Sequence, residues 1–393
     1  MQKSMDEKLA RILADPSCGD FILADAKDAD MAFGLASAGA SPEQHGGEAR
    51  FRTMADYRQN MRELVEQGLL DIMLMSASSN EVLTIQERLF DGSHITPAVR
   101  ANDTTDIWLA GGTGRYPQKP SRPFRTATID HIMCGKVRCE AGERRVGADL
   151  GLYSMTFNND VGLDLASLEH YRAFRHEAET AGFRHFLEVF DPNAPQGEIK
   201  DVGRFVADNI ARALAGVTSA GRPLFLKIAY HGPAAMEALA SYDRTMIPGI
   251  LGGSAGTTLD AFGLLADAKK YGARVALFGR KINNAEHQPS FVKQLRAVAD
   301  GAVGAVEAVK AYHGDLQGLG IAPKRSLDDD LKTGEAASAY SGGGSSAANQ
   351  GGRGAAGLKT ANSVDSRGQP DFSNMTPAEK VAWQRSRWDR ILG

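Results

Sequence analysis

Two rhythms of apolar and polar positions run along this chain, and the switches between them predict its elements. Short, nearly continuous apolar runs bounded by Gly, Pro or charged residues suit strands buried on both faces, as in a parallel sheet. Such runs fall at 21–25, 71–76, 106–110, 150–157, 185–191, 223–233, 246–252 and 273–279. Between them the apolar positions recur at helical spacing, at 5–14, 53–68, 80–89, 164–181, 201–215, 234–239, 257–271 and 290–312. In the second of these the stripe is Met54, Tyr57, Met61, Leu64 and Val65, and Gly68 stops it. Residues 115–146 are the least regular, and Thr126–Met133 reads either as an inserted strand or as a helix start.

Eight strands alternating with helices call for a parallel sheet of the α/β class. That number of units over about 300 residues predicts a closed (β/α)8 TIM barrel, here residues 1–325, with an open doubly wound sheet as the alternative. From Ser326 the composition changes to a Gly- and Ser-rich flexible linker, residues 326–372, which lacks the apolar surface to order itself. The linker leads into residues 373–393, where Thr376-Pro377-Ala378-Glu379 forms a capping box with proline at the first helical position. The predicted C-terminal helix carries Val381, Trp383, Trp388, Ile391 and Leu392. Its tryptophans predict docking on a neighbouring subunit of a homo-oligomer, with an external partner as the alternative.

Composition narrows the class. Across 393 residues the apolar fraction is 42% and the formal net charge −3, which points to neither a nucleic-acid nor a membrane partner. The amphipathic N-terminus lacks a signal-peptide core. Cys18, Cys134 and Cys139 have neither CxxC spacing nor an even count, so they read as reduced thiols of a cytoplasmic protein.

The chemistry centres on Pro223-Leu-Phe-Leu-Lys227-Ile-Ala-Tyr230-His231-Gly232-Pro233, an apolar run with one lysine in its middle. Desolvation lowers a lysine pKa, and a neutral amine condenses with carbonyls. The plain alternative is a lysine that snorkels out at a strand end. Side chains at the C-terminal ends of barrel strands converge on one mouth. Asp25, Tyr153, Glu188 and Lys227 stand near the ends of strands one, four, five and six. A lysine with a carboxylate and a phenol within reach is what Schiff-base aldol chemistry needs, so these four are the candidate catalytic residues. Glu188 reads alternatively as the buried partner of a core arginine, and Tyr153 as a packing residue. Gly252-Gly253-Ser254 follows strand seven and Gly279-Arg280 follows strand eight, which is where barrels bind phosphate. Lys27 and His231, on the loops after strands one and six, are candidate substrate-binding residues. The scattered histidines lack metal-ligand spacing, so neither a metal nor another cofactor is expected. Asp28 and Asp30 read as solvated or capping.

The order Lys227-Ile-Ala-Tyr-His-Gly232, Gly252-Gly253, Gly279-Arg280-Lys-Ile resembles the class I aldolases of the archaeal fructose-bisphosphate type. The tagatose-bisphosphate and deoxyribose-phosphate aldolases share that superfamily. Phe186-Leu-Glu188 is similar to the glutamate strand of the tagatose-bisphosphate branch, and Gly112-Thr-Gly-Arg-Tyr116 to its third loop. The likeness covers roughly residues 20–300. It implies a metal-independent lyase acting on a phosphorylated ketose through a Lys227 iminium. The chain departs from the pattern at Asp25-Ala26-Lys27-Asp28, where the family reads Asp-His-Gly or Asp-Gln-Arg. Strand four lacks the second lysine of the tagatose branch, and strand five has Phe190 where the archaeal branch has tyrosine. A non-aldol isomerase or synthase of the same ancestry, or a scaffold using the tethered helix, are the competing readings.

Overall fold

The computed structural model describes residues 2–334 apart from 16, 46–47, 110–118 and 254–255. Eight parallel strands close into a barrel. They are β1 Ile22–Lys27, β2 Ile72–Met75, β3 Thr96–Arg100, β4 Leu150–Thr156, β5 Arg184–Phe190, β6 Leu226–Ile228, β7 Gly249–Leu251 and β8 Val275–Phe278. The ring closes where β8 pairs with β1, from Ile22 opposite Val275 to Asp25 opposite Phe278. The expected barrel is therefore present, and the open sheet is excluded.

One strand lies elsewhere than expected. The run at 106–110 is no strand: Thr105–Trp108 forms a helical turn, and Thr96-Pro-Ala-Val-Arg100 is the third barrel strand. Proline and two polar ends disguise it, yet all five residues are buried. The expected third loop, Gly112–Tyr116, lies outside the described residues. In the irregular region Thr126–Met133 resolves as a helix start. Thr128 caps helix Ile129–Cys134 by accepting from the His131 amide.

Register divides every strand into two faces. Ile22, Ala24, Ile72, Leu74, Ala98, Leu150, Leu152, Phe186, Phe225, Val275 and Leu277 form one cluster, the barrel interior. Helix Ser4–Ala14 adds Met5, Leu9 and Ile12 to it. This helix sits at the N-terminal ends of the strands, because Lys8 donates to Phe21 O and pairs with Asp71. The alternate residues, among them Leu23, Met73, Val99, Tyr153 and Leu187, face the surrounding helices in a second, larger cluster. With the bottom plugged, access to the interior lies at the C-terminal mouth.

Two further expectations change. Cys134 and Cys139 are disulfide-bonded, and only Cys18 is free. Gly135, in the left-handed region, ends the helix and turns the chain back, and Cys139 N donates to Asp130; this brings the two Cα atoms to 6.0 Å. The thiol argument for a cytoplasmic setting is thereby withdrawn. Within the stretch expected as linker, helix Leu327–Asp330 packs on the barrel. The expected helix at 373–393 lies outside the described residues. Among the described residues no helix is long and apolar enough to cross a membrane.

Candidate active site

Parallel register places Lys227 beside Glu188, and Glu188 beside Ser154. All three therefore point to the same side of neighbouring strands, into the interior. Above the apolar layers they form a polar ring with Arg100 at the end of β3 and Asp28 just after β1. Lys227 Nζ lies 2.7 Å from Glu188 Oε1. Ser154 Oγ donates to Glu188 Oε2 at 2.6 Å, and Arg100 Nη2 reaches the same oxygen at 3.4 Å. Arg100 also donates through Nη1 to Ser154 Oγ at 3.1 Å and through Nε to Asp28 Oδ2 at 2.5 Å. Asn102 clamps the Ser154 backbone, accepting from its amide at 2.6 Å and donating to its carbonyl at 2.8 Å.

Four charged groups share this ring, all less than a tenth exposed. Two carboxylates balance two cations. Burial pushes the Asp28 carboxyl up, but the Arg100 and Lys227 charges outweigh it and leave the group below its ordinary value. Desolvating paired charges costs about as much as their attraction returns, and an apolar layer of equal volume would serve stability as well or better. The ring is therefore no strong source of stability. One step farther toward the mouth, Phe190, Ala229 and Leu251 form a small apolar cluster that flanks Lys227 on the side of β5 to β7. On the same layer Thr156 presents a buried hydroxyl with no hydrogen-bond partner.

The expected site residues separate into three groups. Lys227 and Glu188 meet, as anticipated, and Glu188 is at once the lysine's partner and that of a core arginine. Asp25, Lys27 and Tyr153 belong to the other face of their strands and leave the site. Tyr153 packs on Phe174 and Tyr171 of helix Val161–Ala181, with ring centroids 4.6 and 5.1 Å away. Lys27 is fully buried behind β1, where Nζ donates to Gln288 Oε1 at 2.8 Å and lies 3.5 Å from Asp25 Oδ2. Asp28, expected to be solvated, is the residue of that loop that enters the site. Its neighbour Asp30 accepts from Ser76 Oγ at 2.5 Å. Tyr230 turns outward as well, donating to Asp267 at 2.5 Å.

The third group lies on the loops of the mouth. His231 Nε2 is 2.8 Å from Asp191 Oδ1, joining the loops after β6 and β5. Gly252 and Gly279 end β7 and β8, and both lack room for a side chain: a Cβ would meet Phe278 at 2.2 Å in one case and Ala26 O at 2.7 Å in the other. The Gly252 amide donates to Leu277 O at 2.8 Å, so it is not a free anion donor. Gly253 has φ +60°, and half-buried Arg280 opens the turn after β8. Ser254 lies outside the described residues. Arg100, Ser154 and Asp28 were missed by sequence reasoning. No signal in the order of residues marks them, because the register between strands decides which side chains share a face.

The buried pair behind β1 makes a separate prediction. Lys27→Met leaves Asp25 buried without a partner and should lower the unfolding free energy by about 3–5 kcal/mol. A carbonyl substrate should still be trapped at Lys227. Burial pushes Asp25 up to about 6 from its ordinary 3.8, with Lys27 pulling the other way. A raised folded value means that this contribution to stability is complete at low pH and lost as pH rises through about 6. Asp25→Asn should therefore flatten the stability–pH curve between those values, as read by urea unfolding across pH.

The barrel is similar to solved structures of aldolases. An archaeal fructose 1,6-bisphosphate aldolase aligns over 76% of this chain and 100% of its own, with TM-score 0.53 and 13% identity. A fructose-bisphosphate aldolase from Slackia heliotrinireducens aligns over 79% and 91%, with TM-score 0.53 and 16% identity. A Schiff base forming fructose-1,6-bisphosphate aldolase aligns over 75% and 100%, with TM-score 0.51 and 14% identity. The resemblance expected from the motifs is met in the fold, and at these identities the fold is what the likeness establishes. No protein-family model matches the chain, and no curated protein matches it by sequence.

Proposed function

We propose that the chain is a class I aldolase that makes or breaks a C–C bond in a phosphorylated ketose through an iminium on Lys227. The observation that carries this reading is the 2.7 Å pair of Lys227 and Glu188 on the interior face at the barrel mouth. Glu188 takes a proton from the lysine ammonium, and the freed amine adds to the substrate carbonyl. The protonated Glu188 then returns the proton to the carbinolamine hydroxyl, which leaves as water. The iminium occupies the cation's former place beside Glu188, so the ring's charge balance is kept. Glu188, again a carboxylate, removes the proton of the hydroxyl on the carbon beyond the scissile bond. The C–C electron pair flows into the iminium, an aldehyde departs, and an enamine remains. Arg100 and Ser154 hold Glu188 in place by hydrogen bonds to Oε2.

Phosphate binding is assigned to Gly253 and Gly279 with Arg280, at the ends of β7 and β8, where barrels commonly hold it. Among the described residues no group of three or more His, Cys, Asp or Glu side chains is arranged to hold a metal ion. The reading places the electron sink on Lys227, which its 2.7 Å pair with Glu188 supports. Arg280→Ala should raise KM for the phosphorylated ketose by roughly 10- to 100-fold, the worth of a charge-assisted contact. KM for the dephosphorylated analogue should move less than twofold, and equal changes in steady-state assays of both would remove the phosphate role.

A further inference from the structure

Beyond the last full helix, Ala305–Gly318, the chain crosses both loops that carry the candidate phosphate contacts. Lys324 comes first: its amide donates to Glu286 Oε1 at 2.7 Å and its ammonium to Asn284 O, both in the loop after β8. Ser326 then caps the short helix Leu327–Asp330. Asp330, only 4% exposed, accepts from the Thr258 amide at 2.7 Å and lies 3.0 Å from His313 Nε2. Lys332 O accepts from Thr257 Oγ1 at 2.8 Å, and the Gly334 amide donates to both Asp260 oxygens at 3.1 Å. The two loops are also tied to each other. Lys281, after β8, donates to Gly256 O at 2.7 Å and Thr257 O at 3.3 Å, after β7.

The positive end of helix Thr258–Lys270 is thus filled from within the chain. Asp260 accepts from the Thr257 amide at 2.7 Å and Asp330 takes the Thr258 amide. Burying a carboxylate costs free energy unless its hydrogen bonds are satisfied, and Asp330 has both oxygens engaged. The anchor stands at the start of the helix that follows β7, at the Thr258 amide.

We infer that residues 324–334 form a strap that sets the geometry of the β7 and β8 loops, and that Asp330 is its anchor and a positioning residue for the substrate phosphate. The inference rests on the phosphate reading proposed above. Asp330 stands behind the loop, so it acts on affinity through the loop backbone.

Steady-state kinetics of full-length Asp330→Ala and Asp330→Asn should separate this role from general support. Asp330→Ala should raise KM for the phosphorylated ketose about tenfold while kcat stays within about twofold. Borohydride trapping of dihydroxyacetone, which has no phosphate, should proceed at the parent rate. Asp330→Asn keeps an oxygen facing the Thr258 amide and should recover most of the affinity; it also serves if the alanine variant folds poorly. Unchanged KM in both variants, or an equal loss for phosphorylated and dephosphorylated ketoses, would overturn the inference. Arg280→Ala distinguishes the two levels. If it discriminates against the phosphorylated substrate and Asp330→Ala does not, the strap role alone fails. If neither discriminates, the phosphate reading fails and the strap role falls with it.

Discussion

Lys227→Arg should abolish turnover, with a fall in kcat on the order of 10⁴-fold or more, as when a covalent nucleophile is removed. The guanidinium can still pair with Glu188, so the ring's charge balance and the barrel should survive. It stays protonated at every accessible pH and cannot condense with a carbonyl. The comparison is therefore clean: one cation replaces another in a site of unchanged net charge, and only nucleophilicity is lost. Circular dichroism and melting temperature of the variant should stay close to those of the parent, while single-turnover cleavage disappears. A variant that retained more than a few per cent of the parent rate would show that another residue forms the covalent bond.

Glu188→Gln should lower kcat by roughly two to four orders of magnitude, the usual range for general acid–base catalysis. The amide keeps the side chain's shape and can still accept from Ser154 and Arg100. It can neither take the lysine proton nor return it to the carbinolamine. Slow formation of the iminium and slow cleavage should both follow, the first seen in stopped-flow trapping and the second in product release. Asp28 would remain the only carboxylate in the ring, held by Arg100 at 2.5 Å. A loss below about fivefold would move the proton transfers to another group, such as His231 on the mouth loops.

The barrel was legible because seven of its strands are short apolar runs between helical stripes. The third was hidden by Pro97 and by the polar residues at its ends. The site was legible in one dimension only. A strand buried on both faces has no apolar–polar alternation, so nothing in the order of residues tells which positions face the interior. Asp25 and Asp28 are three apart, and Asp28 is the one that reaches Arg100. Tyr153 and Ser154 are adjacent, and Ser154 is the one that reaches Glu188. Pairing settles both, since Lys227, Glu188 and Ser154 are neighbours across three strands. The glycines after β7 and β8 were recognised, but part of their reason is packing, against Phe278 and Ala26. The strap was illegible because its contacts to the β7 and β8 loops lie 38 to 75 residues away in sequence.

Lys281 supplies the most demanding control for the central claim. Burial lowers its pKa to about 8, closer to neutrality than an ordinary lysine, and it lies beside the same mouth loops. The decisive measurement is borohydride reduction of the full-length protein in the presence of a ketose phosphate, followed by intact-mass and peptide mapping. A single adduct of one sugar phosphate on the peptide holding Lys227, absent in Lys227→Arg, is the predicted result. An adduct on Lys281 or Lys27, or an adduct that persists in Lys227→Arg, would contradict the assignment.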